Sequence, residues 1–355
     1  MREDFDQRKR NTLGDISVLY VAVIARAIEA QGVDPVPLLA QFGLDERLLA
    51  APDARISIPR FMRLGQAAIE LTGNSALGLV MGELTRPIDA GRAGLAAEAA
   101  PDCGSALGTL IEFDLLTSQN SRGQPTINLT AGQADFYSIR PYNIFNYFVV
   151  DSVLAAWTRF LRTVSGKNRV LARVTVEYPS RGLDTAFEDW FGCPVTFGGD
   201  NNRLHLLPDI PTRPSVFSQP AMYRLLREDC SRALKRLRSG WGIQDRVKEK
   251  LASLLEGEPP SLEQVAVELG MAPWTLQRRL ATENTGFREL VDVTRKDLAL
   301  DYVRETRLTF SEIAWLLGFS GPAAFHKAYR RWSGMSPGEH RSRFSEEQQT
   351  KGLYQ

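Results

Sequence analysis

Histidine and cysteine are scarce in this chain of 355 residues, with three of each. Cys103, Cys193 and Cys230 are odd in number, far apart and in neither metal-ligand nor redox spacing. That excludes a disulfide framework and a zinc cluster, and it leaves three reduced, buried small residues. No histidine stands at ligand spacing from a cysteine, so neither a metal nor a cofactor is expected. Also missing is any run of ~20 uninterrupted apolar residues, and the first ten residues are charged and polar. A cytoplasmic protein without membrane span or export signal is the expectation. No phosphate-cradling glycine loop precedes Pro214. Net charge of one sign is lacking too, since 43 Lys and Arg stand against 42 Asp and Glu. Nucleic-acid-binding domains usually carry a basic excess, so this balance argues weakly against that partner. The charge is nevertheless segregated. Arg224, Arg227, Arg232, Lys235, Arg236 and Arg238 crowd one segment, and Lys327, Arg330, Arg331, Arg341 and Arg343 another.

The length exceeds what one hydrophobic core usually serves, so two domains are expected. A proline-rich stretch, Pro208, Pro211, Pro214 and then Pro220, cannot be a regular element and marks the end of the first. The division predicted is a sensing and dimerisation domain over 1–215, a linker with a basic helix over 216–242, and a helical module over 243–345. The basic helix is expected to break at Ser239, Gly240, Trp241 and Gly242, and the polar residues 345–355 to fray. In the first domain, helical periodicity covers 16–30, 59–71, 105–116 and 143–164, whereas 170–178 alternates with period two as a strand does. Residues 125–130 and 135–139 read as one hairpin, 194–197 and 203–207 as another. The fold class expected is α+β for this domain, with an antiparallel or mixed sheet covered by helices, and all-α for the C-terminal domain.

The C-terminal part contains the same pattern twice. The stretch from Ser261 to Met271 and the stretch from Thr309 to Phe319 superimpose without a gap. Each opens with a hydroxylic N-cap followed three residues later by Gln264 or Glu312, continues with apolar residues at i, i+3, i+4 and i+7, and breaks at Gly270 or Gly318. A second short helix follows each break, apolar on one side and polar or basic on the other. This is a helix-turn-helix written twice, and it implies DNA reading.

In the first repeat Leu276 and Leu280 face Val265, Ala266 and Leu269, which leaves Trp274, Gln277 and Arg278 on the groove side. Gln and Arg carry the paired donors and acceptors that match adenine and guanine edges, and Trp covers a thymine methyl or the sugar backbone. Arg279 suits a phosphate. One extra residue after Gly318 puts Phe325 and Tyr329 in the core positions of the second repeat. Its groove-facing set becomes Ala323, His326 and Lys327, with Arg330 and Arg331 for phosphates. That set is chemically poorer, so the first repeat is expected to specify sequence more sharply. Between them, 287–305 forms a helix with Val291, Thr294, Leu298 and Tyr302 in register. At ~1.5 Å per residue it spans roughly 28 Å, against about 34 Å for a turn of DNA.

The run Leu276-Gln277-Arg278-Arg279-Leu280, then Phe287-Arg288-Glu289-Leu290, Arg295, Ala299, Ile313-Ala314, Leu317-Gly318-Phe319, Ala324-Phe325, Ala328-Tyr329-Arg330-Arg331-Trp332, Gly334 and Ser336-Pro337 resembles the signature of the AraC/XylS family of transcriptional regulators. By that resemblance Trp274, Gln277 and Arg278 fall on base-contacting positions of the first repeat, and Ala323, His326 and Lys327 on those of the second. The N-terminal part resembles the sensor domain, of arabinose-binding type, found in the ornithine-utilisation and virulence-regulator branch of that family. The features carrying this are Gly43-Leu44 with Leu48-Leu49, Ile58-Pro59 at a helix entry, Leu77-Gly78-Leu79, and a hairpin before a long helix. The resemblance implies a regulator, an activator by expectation, that responds to a small organic effector. It also implies double-stranded DNA as partner, a homodimer formed through the first domain or the basic helix, and contact with RNA polymerase.

For the effector, Asn143, Tyr147 and Asp151 recur at helical spacing with Asn146 alongside. Arg140 is available for a carboxylate, and Tyr142, Phe145 and Trp157 for walls. The plainer alternative is that this is the solvent face of the helix. His205, in a strand, reads as structural. A second function class, an enzyme such as an alkyl-transfer protein fused to this DNA-binding module, needs an activated thiolate or a metal-held cysteine cluster. Neither pattern is present. A third, a ligand-independent DNA-organising protein, leaves a first domain of this size without purpose. The two helix-turn-helix cores lie wholly within 243–344. That fragment is therefore expected to fold alone and to bind DNA more weakly than a dimer engaging two half-sites. A cooperative thermal melt of the isolated fragment checks this, and a fragment without one contradicts it.

Overall fold

The computed structural model describes residues 14–51, 53–120, 123–140, 142–239, 242–306 and 308–352. The charged opening residues 1–10, and Gly240 and Trp241 of the expected helix break, lie outside them. The chain divides into two compact units, one covering Ile16–Leu237 and the other from Arg238 onward.

In the N-terminal unit, strands β1 (Asp15–Ser17) and β2 (Arg55–Ser57) form a small sheet. Helices α1 (Leu19–Glu29), α2 (Val36–Gln41), α3 (Glu46–Leu49), α4 (Ile58–Thr72), α5 (Leu77–Leu84), α6 (Gly91–Glu98) and α7 (Cys103–Glu112) lead to strands β3 (Thr126–Asn128) and β4 (Gln133–Phe136). The long α8 (Tyr147–Ser165), β5 (Leu171–Thr175), α9 (Asp184–Phe191), β6 (Val195–Thr196) and β7 (Asn202–Leu206) complete this part. The larger sheet has strand order β3-β4-β7-β5-β6 and is mixed. The hairpin β3–β4 forms as expected, with Ile127 opposite Ala134.

The second expected hairpin does not form. The strand β6 pairs parallel with β5, and β7 pairs antiparallel with both β4 and β5. The reason is burial: Leu204 and Leu206 of β7 are apolar enough for a central position, whereas β6 is two residues long and suits an edge. The alternation expected over 170–178 is interrupted by an irregularity between Leu171 and Arg173, so Leu171 and Val174, three apart, are both buried.

Helix α8 is the shared wall of this unit. Leu154, Trp157, Leu161 and Val164 join Leu171, Val174, Leu204 and Leu206 of the sheet and Ala106 and Leu107 of α7 in one core. On another side α5 lies against it so closely that a Cβ at Gly82 would fall 2.2 Å from Ala155 Cβ, and one at Gly78 2.6 Å from Asp151 Cβ. These two glycines, one turn apart, set the approach of the two helices.

The basic helix α10 (Pro220–Ser239), which the sequence suggests is a linker, belongs to the N-terminal unit as far as Leu237. Cys230 and Leu234 are buried with Ala93, Ala96, Phe113 and Leu115. Its charges are paired across the same contact, with Asp229 2.9 Å from Arg92 and Arg227 bonded to Glu112. A stripe of apolar residues on a basic helix buries against the nearest apolar surface.

The C-terminal unit holds α11 (Ile243–Leu254), α12 (Leu262–Glu268), α13 (Pro273–Thr282), α14 (Phe287–Glu305), α15 (Phe310–Leu316), α16 (Pro322–Ser333) and α17 (Pro337–Gly352). Both expected capping boxes are present. Ser261 N–H donates to Gln264 Oε1 at 2.7 Å, and Gln264 N–H to Ser261 Oγ at 3.2 Å. Thr309 and Glu312 repeat this at 2.7 and 3.2 Å. Gly270 and Gly318 both adopt φ +64°, and after each the next residue donates across the turn, Met271 to Ala266 and Phe319 to Ala314, both at 2.9 Å. The α14 helix serves both repeats: Leu290 and Val291 belong to the first core, and Leu298, Ala299, Tyr302 and Val303 are buried further along. The tail expected to fray continues as α17 to Gly352, because Pro337 sits at a helix start that Ser336 and Glu339 cap reciprocally at 3.2 and 2.7 Å.

Alanine at either turn glycine forces an L-residue into left-handed backbone, at roughly 1–2 kcal/mol. At Gly270 a Cβ meets nothing within 4 Å, whereas at Gly318 it would lie 3.0 Å from the backbone of Glu258 and Pro259. Gly318→Ala is therefore expected to lower the denaturant midpoint of the C-terminal unit further than Gly270→Ala. Equal losses contradict the difference in packing.

Candidate nucleic-acid interface and a cavity in the N-terminal unit

In the first repeat Leu276 and Leu280 are buried with Val265 and Ala266, which turns the opposite face of α13 outward. Gln277, Arg278 and Arg279 are exposed there, and Trp274 is 64% exposed. The Arg278 guanidinium lies over the Trp274 ring, 5.4 Å from its centre, one helical turn away. A large aromatic left in water beside an arginine it pre-orients is a surface built for a partner. The end of α13 is tied down as well: the Glu283 carboxylate accepts from Ile243 N–H at 3.0 Å and Gln244 N–H at 3.3 Å, capping α11.

In the second repeat Phe325 and Tyr329 take the two core positions and are fully buried. Ala323, Lys327 and Arg330 are exposed. His326 is partly buried, its ring edge-on to Phe310 at 5.3 Å and Phe325 at 5.8 Å, so it is less free than Gln277 at the matching place. Arg331 is engaged by Asp292 of α14 at 2.6 Å, and the same carboxylate accepts from Trp332 Nε1 at 3.1 Å. Arg295 of α14 donates to the turn carbonyls of Leu317 at 2.7 Å and Gly318 at 2.6 Å, with Phe319 beneath it at 4.7 Å. Its burial lowers its pKa, and these carbonyls are what hold it.

Apart from Trp157, the residues expected to hold a ligand lie in polar clusters on one side of α8. Asp151 is fully buried, accepting from the Tyr178 hydroxyl and from Arg181 at 2.9 Å, and the Arg181 guanidinium covers Tyr147 at 4.6 Å. Burial raises the Asp151 pKa against the opposing pull of Arg181. Glu177 gathers Arg140, Tyr142 and Asn202. Asn146 accepts from Asn143 N–H at 2.7 Å and donates to Ile139 O at 2.6 Å, fixing the entry to α8. These polar groups find their partners inside the protein.

A cavity of about 130 Å³ lies on another face of α8. Of the residues expected at a ligand, Trp157 alone lines it. Val149, Ser152, Val153, Ala156 and Phe160 form its α8 wall, α1 and α4 add Tyr20, Phe61 and Met62, and Phe136, Ser138 and Asp114 close it. Burial raises the Asp114 carboxyl to about 7, partly opposed by Arg55. The signal that could have found Asp114 is its place between Phe113 and Leu115, both buried. His205 bonds Thr175 Oγ1 at 3.3 Å within the sheet, and burial lowers its pKa. The three cysteines are buried, each thiol pushed up to about 11 by that burial. Among the described residues no group of His, Cys, Asp or Glu is placed to hold a metal, and no helix is long and apolar enough to cross a membrane.

The chain is similar to known proteins over most of its length. The chain is 26% identical over 328 residues to the ornithine utilization regulator of Pseudomonas aeruginosa, covering 92% of this chain and 96% of that protein. It is 27% identical over 319 residues to the transcriptional regulator VirS of Mycobacterium tuberculosis, covering 88% and 92%. The crystal structure of the transcriptional regulator CdpR from Pseudomonas aeruginosa aligns over 91% of this chain and 98% of that one, at 23% identity and a TM-score of 0.43. Residues 265–343 match the helix-turn-helix domain family. Residues 32–215 match the family described as the arabinose-binding domain of AraC transcription regulators, N-terminal part. That second match alone covers more than half of the chain, which therefore belongs to the AraC family of transcription regulators.

Proposed function

We propose that this DNA-binding regulator is a cytoplasmic, homodimeric activator that reads bases through Trp274, Gln277 and Arg278 and, less sharply, through Ala323, His326 and Lys327. Arg279 and Arg330 hold phosphates, and Arg331 does so on leaving Asp292. The observation that carries this reading is the exposed Trp274 ring with Arg278 stacked on it, on the helix face opposite a closed core. The cavity beside α8 is the effector site, and the protein turns nothing over there. An effector that prefers one conformation of the N-terminal unit shifts the population able to bind DNA and recruit RNA polymerase by its differential affinity. The α10 helix contributes to the dimer surface, with Met222 and Leu225 exposed on it.

Arg278→Ala removes a paired base contact, so it is expected to cost ~1–3 kcal/mol on a selected site and to relax preference at one or two base pairs. Lys327→Ala loses less specificity. Fluorescence anisotropy on matched and substituted duplexes measures both. An equal loss on every duplex for Arg278→Ala means that the residue touches only phosphate.

A further inference from the structure

The cavity beside α8 contains a carboxylate without a partner. Asp114 lines it, and among the described residues its side chain takes part in no hydrogen bond or ion pair. Arg55, the cation whose field reaches it, donates instead to the carbonyls of Leu116 and Thr117, both at 3.1 Å. A second group points the same way: Ser138, 7% exposed and lining the same space, has a hydroxyl with no hydrogen-bond partner. Polar groups inside a fold are normally satisfied, and a half-buried carboxylate and a buried hydroxyl that are not, in one cavity, mark a place where a bound molecule completes the set. The remaining walls are mostly apolar and aromatic, with Phe61 and Trp157 among them; the one other charged side chain in the lining, Arg86, is ion-paired with Asp89 at 3.4 Å, and Thr85, Asn120 and Ser152 add polar edges. A cavity of about 130 Å³ is close to the roughly 150 Å³ engineered cavity that admits benzene.

We infer that this cavity binds a compact organic cation, a primary amine on an apolar body of about six to eight non-hydrogen atoms, with Asp114 as its counter-ion and Ser138 as an acceptor. The inference names the chemical class of the effector and so rests on the reading of this cavity as the effector site. An anion is disfavoured there because it would face an unpaired carboxylate in a poorly solvated space. A neutral molecule leaves that carboxylate unpaired. The ammonium group restores what burial removed, and aromatic walls favour a cation as well.

Two consequences of charge follow. Because burial raises Asp114 to about 7, the free protein holds it partly protonated at neutral pH, and an ammonium ion selects the ionised form. Amine affinity therefore rises from pH 6 to pH 8, over which a simple amine stays charged. The other group whose shift involves Asp114, Tyr20, is pushed up to about 12 by burial, above that window. In the free protein, a carboxyl with a raised folded pKa destabilises increasingly as pH rises from its unfolded value toward 7. Asp114→Asn is thus expected to fold, and to raise the melting temperature more at pH 8 than at pH 5.

The test is calorimetric titration and thermal shift of the full chain with benzylamine, cyclohexylamine, benzyl alcohol and benzoate. The amines are expected to bind on the order of tenfold to a hundredfold more tightly than the alcohol or the carboxylate. Asp114→Asn removes that preference. Tighter binding of benzoate or benzyl alcohol, equal amine affinity in wild type and Asp114→Asn, or no binding by either amine overturns the inference. DNA affinity measured alongside separates it from the reading beneath it. Amines that bind through Asp114 without changing DNA affinity uphold the ligand class and defeat the effector role. A neutral or anionic compound that alone changes DNA affinity does the reverse.

Discussion

Each side chain that faces outward from α13 and α16 owes its direction to a backbone constraint at a single residue. A helix of seven residues, such as α12 or α15, is too short to be stable in water by itself. It persists because it is capped at one end and, at the other, turns sharply enough for the next helix to bury its apolar stripe. That turn needs left-handed backbone, supplied at Gly270 and Gly318 with the same φ and the same cross-turn hydrogen bond. With the turn fixed, Leu276 and Leu280 in one repeat and Phe325 and Tyr329 in the other have only one place to go. What remains outside is the reading face.

The two repeats differ in how that turn is held. In the second, Arg295 reaches from α14 to two turn carbonyls and stacks on Phe319, so the linking helix itself positions the recognition helix. In the first, the side-chain tie is at the far end of the recognition helix, where the Glu283 carboxylate caps α11. Hydrogen bonds from a charged group are worth more than neutral ones, and a carbonyl left without its donor is costly, so the part-buried Arg295 tie is the stiffer and the exposed Glu283 tie the weaker. The better-equipped face is the first, where Arg278 is pre-oriented by Trp274. The second has Arg331 already occupied by Asp292 and His326 packed against its own core.

Much of this was legible in the sequence for physical reasons. Capping boxes, turn glycines and the apolar spacing of short helices are local signals, and the core positions read from them are the buried ones. The sensor part was legible only in outline. The long helix α8 and the β3–β4 hairpin follow from local pattern, but the place of β7 between β4 and β5 depends on burial by elements far along the chain. Helical spacing reveals α8 and its polar face, yet Asp151 and Tyr147 are engaged by Arg181 and Tyr178, which no spacing rule connects to them. The cavity opens on the face that carries Ser152 and Trp157. The basic residues of α10 suggested a linker because charge is visible in sequence, while the partners Glu112 and Arg92 are not.

The central claim is that one chain presents two recognition helices joined by a 19-residue helix. Selection of bound duplexes from a random library with the full protein tests it most directly. Two recognition helices joined by α14, itself about 28 Å long, predict enriched sites with two conserved blocks on one face of the duplex, about one helical turn apart, centre to centre 10–10.5 base pairs. The block read by α13 should be the more sharply defined. Enrichment of a single block, or of none, would contradict the account.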